Sequence, residues 1–303
     1  MTQAPARPSA AGTAFVLIAA MAFSAKAVIV KLAYAYAVDA ATLLALRMLF
    51  SAPFFLLMAL WSGRGAATRP LTRKDWLSVA LLGFIGYYLA SYLDFLGLQY
   101  ITAGLERLIL FLYPTIVVLL SAWLFKTPVR RHHVAALALS YSGIALVFVE
   151  NLEFAGHSFE VAIGGVLVFA SGIVYSFYLI GTGKVIGKIG AARFTSYAML
   201  VACMVAILQF IVAHDLSELA LPHQVYWLSL LMAVLSTVIP AWLMSEGIRR
   251  SGANHAAMVG SVGPVVTIFL GYQVLHEPIS AIQLIGAALV LAGVTLVSVK
   301  RES

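Results

Sequence analysis

Residues 102–149 read TAGLERLILFLYPTIVVLLSAWLFKTPVRRHHVAALALSYSGIALVFV, and residues 252–299 read GANHAAMVGSVGPVVTIFLGYQVLHEPISAIQLIGAALVLAGVTLVSV. Laid over one another at a shift of 150, without a gap, they set Ala103, Pro114, Leu120, Pro128, Gly143 and Val149 on Ala253, Pro264, Leu270, Pro278, Gly293 and Val299. Alanine and leucine coincide by chance in such sequence. Paired prolines, one inside an apolar run and one just past its end, are harder to dismiss. A shift of 152 carries the match weakly to the start of each half, placing Val16 and Ser24 on Val168 and Ser176.

Outward from this repeat, apolar runs broken by polar turns fall at 12–36, 40–61, 76–98, 101–124, 132–150, 161–182, 192–213, 224–247, 253–275 and 280–299. They are far longer than the roughly 10 residues of a barrel strand and match the roughly 20 of a spanning helix. The whole chain agrees: 303 residues, 62% hydrophobic and only 10% charged, with a mean hydropathy of +0.99. Such a composition excludes folding in water, and ten spans leave no length for a soluble catalytic domain. Five helices per half is an odd number, so the second half enters from the opposite side. The expected fold is an all-α integral membrane protein, ten transmembrane helices as two inverted five-helix repeats (1–150 and 151–303) around a central cavity.

Charge tests the count. Alternate connections hold Arg7; Arg64, Arg69, Arg73 and Lys74; Lys126, Arg130 and Arg131; Lys184, Lys188 and Arg193; Arg249 and Arg250; Lys300 and Arg301. The others hold Asp39, Glu150, Glu153, Glu160, Asp215, Glu218 and Glu277, with no lysine or arginine. Basic residues are retained on the cytoplasmic side, so both termini are expected there. The net charge of +7 then follows from topology and calls for no nucleic-acid partner. Trp61, Trp76, Trp123 and Trp227 fall near span ends, as interfacial tryptophans do. The first run is read as a retained helix rather than a cleaved signal, because Lys26 and Lys31 interrupt it and it has a counterpart in the second half. The lone Cys203 lies in an apolar run, which excludes an intrachain disulfide and a thiolate metal cage. No metal or cofactor is expected.

Ionisable groups inside spans cost at least about 2.5 kcal/mol each on insertion scales, so each needs a reason. Lys26 lies just past the middle of the first span and Arg47 near mid-membrane in the second. Lys31, Asp94, Glu106 and Arg107 project to one level nearer the outer surface. Four cations thus overlap two carboxylates in the first half, with little to match them in the second. Structural pairing accounts for some of these groups; an unpaired ammonium at the depth of Lys26 points to a polar chamber. Excess positive charge there favours a carboxylate-bearing or zwitterionic small molecule over a lipophilic cation. Around it stand Tyr87, Tyr88, Ser91 and Tyr92, then Tyr175, Ser176 and Tyr178, then Ser236, Thr237, Trp242 and Glu246, and Ser261. Tyr87 shares a helix face with Ser91, and Tyr88 with Tyr92. Of these, Lys26, Arg47, Asp94, Glu106, Arg107, Tyr87, Tyr88, Ser91, Tyr92, Tyr175, Tyr178, Trp242 and Ser261 are the candidate binding residues. His255 reads as a solvated or capping histidine.

Pro53, Pro114, Pro240 and Pro264 lie within spans and free carbonyls that protein or water must satisfy, which makes them candidate bending points. Ala138 with Ser142 and Ala288 with Ala292 put small residues four apart on the fifth and tenth helices, for close packing between halves or between subunits of a homodimer. Gly181-Thr182-Gly183-Lys184 is not a phosphate loop: no strand precedes it, and it reads as a flexible basic connection, so ATP-driven pumping is not expected. There is no Gly-x-Ser-x-Gly elbow, and His276-Glu277-Pro278 lacks the second histidine of a zinc helix.

Ala45-Leu46-Arg47-Met48, Gly104 through Pro114, the run 252–257 leading to Pro264, and His276-Glu277-Pro278 followed by Gly286 and Gly293 form an ordered set. It resembles the EamA-type members of the drug/metabolite transporter superfamily over nearly the whole chain. The first half has Lys126-Thr127-Pro128 where the second has the glutamate turn. The resemblance implies an exporter of small metabolites in the bacterial inner membrane, with amino-acid exporters as the nearest subgroup. An intramembrane enzyme that modifies lipids or metabolites with the same buried charges, an exporter of other drugs or organic solutes, and a passive channel are the rival readings. Cations near Glu106 and Asp94 argue against proton coupling through either.

Overall fold

The computed structural model describes residues 9–62, 70–154 and 158–299, and all regular structure among them is helical. The first half holds α1 (Ala10–Tyr34), α2 (Ala40–Ser62), α3 (Arg73–Leu98), α4 (Ala103–Phe125) and α5 (Arg131–Phe154). The second holds α6 (Ser158–Ile189), α7 (Ala191–Ala213), α8 (His223–Ser251), α9 in two pieces (α9a, Ala253–Gly260; α9b, Gly263–Leu275) and α10 (Ala281–Val299). Among the described residues nine spans are long and apolar enough to cross a membrane, and α10 is apolar over Ala281–Leu296. Together they make the ten helices that the repeat demands. Arg7, Arg64, Arg69, Lys300 and Arg301 lie outside the described residues. The side bearing the basic connections is called the basic face below, and the opposite side the acidic face.

Polar residues at span ends satisfy amide groups that the bilayer cannot. Ser9 Oγ accepts from Gly12 N, and Thr72 with Asp75 forms a reciprocal capping box. Asp39 Oδ1 accepts from Ala41 N and Thr42 N at 2.8 and 3.0 Å, starting α2. Three departures from the sequence reading matter for function. First, α4 and α9 are broken rather than kinked. α4a (Ala103–Leu110) and α4b (Tyr113–Phe125) meet at residues 111–112, and α9a and α9b at 261–262, with Pro114 and Pro264 in the first turn after each break. Proline there lacks only an N–H that would be unpaired anyway. Second, α3 and α8 each contain one π-helical segment, Phe84–Leu89 and Val234–Val238. Their first residues are 150 apart.

Third, α6 runs two turns beyond its expected end, so residues 181–188 are helical and the connection to α7 is Gly190, at φ +86°. In place of the expected flexible loop the helix packs through Gly181, where a Cβ would lie 2.6 Å from Leu82 Cδ2, and Thr182 Oγ1 donates to the Tyr178 carbonyl.

The halves meet along α2 with α7 and along α5 with α10. In the second interface backbones nearly touch: a Cβ on Gly143 would stand 2.5 Å from Gly286 O, and one on Gly286 2.6 Å from Gly143 O. Gly143 and Gly286 therefore join the halves of one chain, whereas Ala138, Ser142, Ala288 and Ala292, the pairs expected to do so, are exposed on the far sides of their helices. Leu43, Leu44, Met48, Phe95, Leu98 and Cys203 pack in the largest apolar core, toward the acidic face.

Candidate functional site

The inverted repeat is visible in single hydrogen bonds. Ser24 Oγ on α1 donates to the carbonyl of Gly263 at 3.0 Å and back to Ala20 O at 2.7 Å. Ser176 Oγ on α6 donates to the carbonyl of Tyr113 at 3.3 Å and back to Gly172 O at 2.7 Å. Ser24 and Ser176 coincide under the shift of 152, and Tyr113 and Gly263 under the shift of 150. Each serine thus holds the break in the other half's discontinuous helix. Thr267 Oγ1 reinforces one side by donating to Ser24 O at 3.2 Å.

Between these breaks lie the charges. Lys26 Nζ donates to Asp94 Oδ2 and, at 3.1 Å, to Glu106 Oε1; its side chain retains 14% exposure, against 3% and 0% for the acids. The ammonium is therefore not unpaired, contrary to the expectation from depth. Three helices, α1, α3 and α4a, bring their costly groups to one point, where each charge lowers the cost of the others. Asp94 Oδ1 and Glu106 Oε2 remain buried without a partner. Lys31 donates to the Ile101 carbonyl at 3.0 Å rather than to an acid.

Arg47 is 7% exposed; its Nε donates to Thr237 Oγ1 at 3.0 Å, and its guanidinium lies 5.5 Å from the centre of the Phe95 ring. Thr237 sits in the π-helical segment of α8 and itself donates to Met232 O, five residues back. Arg47 ties α2 to α3 and α8, a structural role. Arg107 differs: among the described residues it makes no hydrogen bond or ion pair, and its buried Nε has no partner. It lies against the break in α9, where a Cβ on Gly263 would be 3.2 Å from Nη2 and 3.5 Å from Ser24 Oγ. Any side chain at Gly263 would press on the guanidinium where it nears the start of α9b.

The tyrosines form a connected wall. Tyr113 meets Tyr175 edge-on at 5.7 Å between ring centres, Tyr175 stacks on Tyr178 at 5.5 Å, and Tyr178 OH donates to Tyr87 OH at 2.8 Å. Tyr88 and Tyr92 stack at 6.1 Å with ring planes 3° apart, and half-buried Ser91 lies in the turn between them. Ser261 stands in the α9 break, its hydroxyl turned to Met258 O at 2.6 Å. Trp242 does not join this group: it is 63% exposed and packs on Phe15, so it belongs to the exposed surface with the other four tryptophans. Nor is His255 simply solvated, since its Nε2 is 2.8 Å from Thr13 Oγ1 on α1. Composition offers no reason to single out Tyr113 or Gly263; the signal that finds them is the repeat, under which they coincide.

At the acidic face Glu277 ties the two halves together. Its Oε1 accepts from Ala103 N at 2.9 Å and its Oε2 from Gly104 N at 3.4 Å, capping α4a from the other half. Lys126 and His276, the left-handed residues ending α4b and α9b at φ +53° and +56°, again stand 150 apart. The next residue is Thr127 in one turn and Glu277 in the other. Gly252, before α9a, offers no side-chain cap, and Thr127 is exposed. Among the described residues α4a packs on α9b, whereas no comparable packing joins their counterparts α9a and α4b.

Ten helices, two of them broken, and a cluster of charges and tyrosines between the breaks make a polytopic membrane protein, and its family makes it a transporter. The chain belongs to the EamA-like transporter family, whose profile matches twice, over residues 10–149 and 162–299. It is 32% identical over 292 residues to the uncharacterized transporter YcbK of Bacillus subtilis (strain 168), covering 94% of this chain and 91% of that one. It is 25% identical over 267 residues to the uncharacterized transporter sll1319 of Synechocystis, covering 86% and 80%. A crystal structure of another protein, 18% identical, aligns over 96% of this chain and 99% of its own with a TM-score of 0.64, a likeness of fold.

Proposed function

We propose that this chain is an alternating-access exporter of small carboxylate-bearing metabolites, amino acids first among them, in the bacterial cytoplasmic membrane with both termini inside. The supporting observation is an asymmetry between the faces. The Glu277 cap and the packing of α4a on α9b join the halves at the acidic face, while among the described residues no comparable packing joins α9a and α4b at the basic face. Exchange of the two arrangements between equivalent halves opens the centre to the other side, the motion an inverted repeat permits. With the basic face cytoplasmic, the observed state receives solute from inside the cell. Three central cations, Lys26, Arg47 and Arg107, face two carboxylates, Asp94 and Glu106, so an anionic group on the solute completes the balance.

Counterflow in proteoliposomes made from pure protein tests this. Vesicles preloaded with an unlabelled amino acid should accumulate the labelled one transiently and saturably, without chemical change. Linear, unsaturable flux would make the protein a channel; product without flux would make it an enzyme.

A further inference from the structure

We infer that the solute's carboxylate is taken by Arg107 at the break in α9, and not by Lys26. This rests on the transporter reading above and adds the group that does the recognising. Lys26 has both acids bonded to it, so a carboxylate arriving there must displace one of them. Arg47 spends its Nε on Thr237 and its face on Phe95. Arg107 alone of the three central cations is without a counterion or hydrogen bond among the described residues, and its Nε is buried and unpartnered. A buried donor left unpaired carries a desolvation penalty, larger for a charged group, that is recovered when a ligand accepts from it. A guanidinium offers a planar fork that a carboxylate fits with two parallel bonds.

The surroundings suit the rest of such a solute. Gly263 leaves the space beside Nη2 that any side chain would fill. The first amides of α9b, which has no side-chain cap, start at the same point and add positive potential. Tyr113 and Tyr175, both within electrostatic reach of Arg107, supply a hydroxyl-bearing aromatic wall. Glu106, the next residue back on α4a, spends its hydrogen bond on Lys26 and attracts Arg107 only from beyond ion-pair distance, which leaves the guanidinium's donors free for a ligand. The chemical class is a small amphiphile with a free carboxylate, and its amide should be rejected.

The test is thermal stabilisation of the detergent-purified full chain by the twenty L-amino acids and by their carboxamides, with counterflow of every amino acid that stabilises it. At least one acid should raise Tm where its amide does not. Arg107→Gln should weaken that effect roughly tenfold or more, Arg107→Lys should restore part of it, and Gly263→Val, which leaves the charge intact, should also weaken it. Should Arg107→Gln fail to fold, the lysine and Gly263 variants decide. Acid-selective stabilisation that survives in all three variants overturns the assignment to Arg107 while leaving the transporter reading in place. Amides as effective as acids, or no stabilisation by any compound, overturn carboxylate recognition. Stabilisation by an acid that wild-type vesicles do not carry counts against the transporter reading alone.

Discussion

Lys26 shows what a buried charge is held by. One ammonium between two carboxylates is sustained only as a set, because removal of one member leaves the others buried and uncompensated, at about 3–5 kcal/mol. Lys26→Met should therefore lower resistance to SDS-induced unfolding by about 3 kcal/mol or more. The triple variant Lys26→Met, Asp94→Asn, Glu106→Gln should recover most of the loss. A single variant as stable as the parent would mean that the three charges do not depend on one another. The depth of these residues was legible from counting along each span. Their pairing was not, since depth fixes height in the membrane but not which way a side chain points around its helix.

Helices record a different kind of information. Span number and direction follow from hydrophobic length and from the sorting of Lys and Arg, both of which act residue by residue along the chain. The π-helical segments at Phe84–Leu89 and Val234–Val238 leave no such trace, because an inserted residue changes register without changing composition. What they achieve is positional: Thr237 is turned toward Arg47 and Tyr87 toward Tyr178. Thr237→Val should cost about 1–3 kcal/mol, the penalty for an unpartnered charged donor. The same unfolding assay reads it, and a neutral result would remove the Arg47–Thr237 bond from the account. The long α6 offers an opposite case. Gly183 has nothing within 4 Å of a built Cβ, so Gly183→Ala should stabilise by about 0.5–1 kcal/mol if the segment is helical. No gain would return residues 181–188 to the loop first expected there.

For the whole molecule the question is which face is open. At the acidic face α4a begins on a carboxylate from the opposite half; at the basic face α9a begins without one, and the residue at the equivalent place is Thr127. Thr127→Glu should supply the missing contact and shift the population toward closure at the basic face. Pulsed EPR between spin labels on Val129 and Arg249, in a Cys203→Ser background, should then report a shorter distance. An unchanged distribution would detach the Glu277 cap from the choice of state. Glu277→Gln should move the same population in the same direction by weakening the opposing closure. The duplication was readable from two prolines and a few small residues, but the asymmetry between the faces was not, because it lies in which helix pairs are in contact and not in the repeat pattern.

The crossed serines carry one last consequence. Ser24 and Ser176 each find their acceptor in the partner repeat, so neither five-helix unit can complete its own wiring. An ancestral single unit would have had to meet a copy of itself, upside down, before any of these bonds could close. Within one polypeptide that meeting is built in, and the two copies differ where the serines bond, glycine in one place against tyrosine in the other, so the centre is not the one a symmetric pair would enclose.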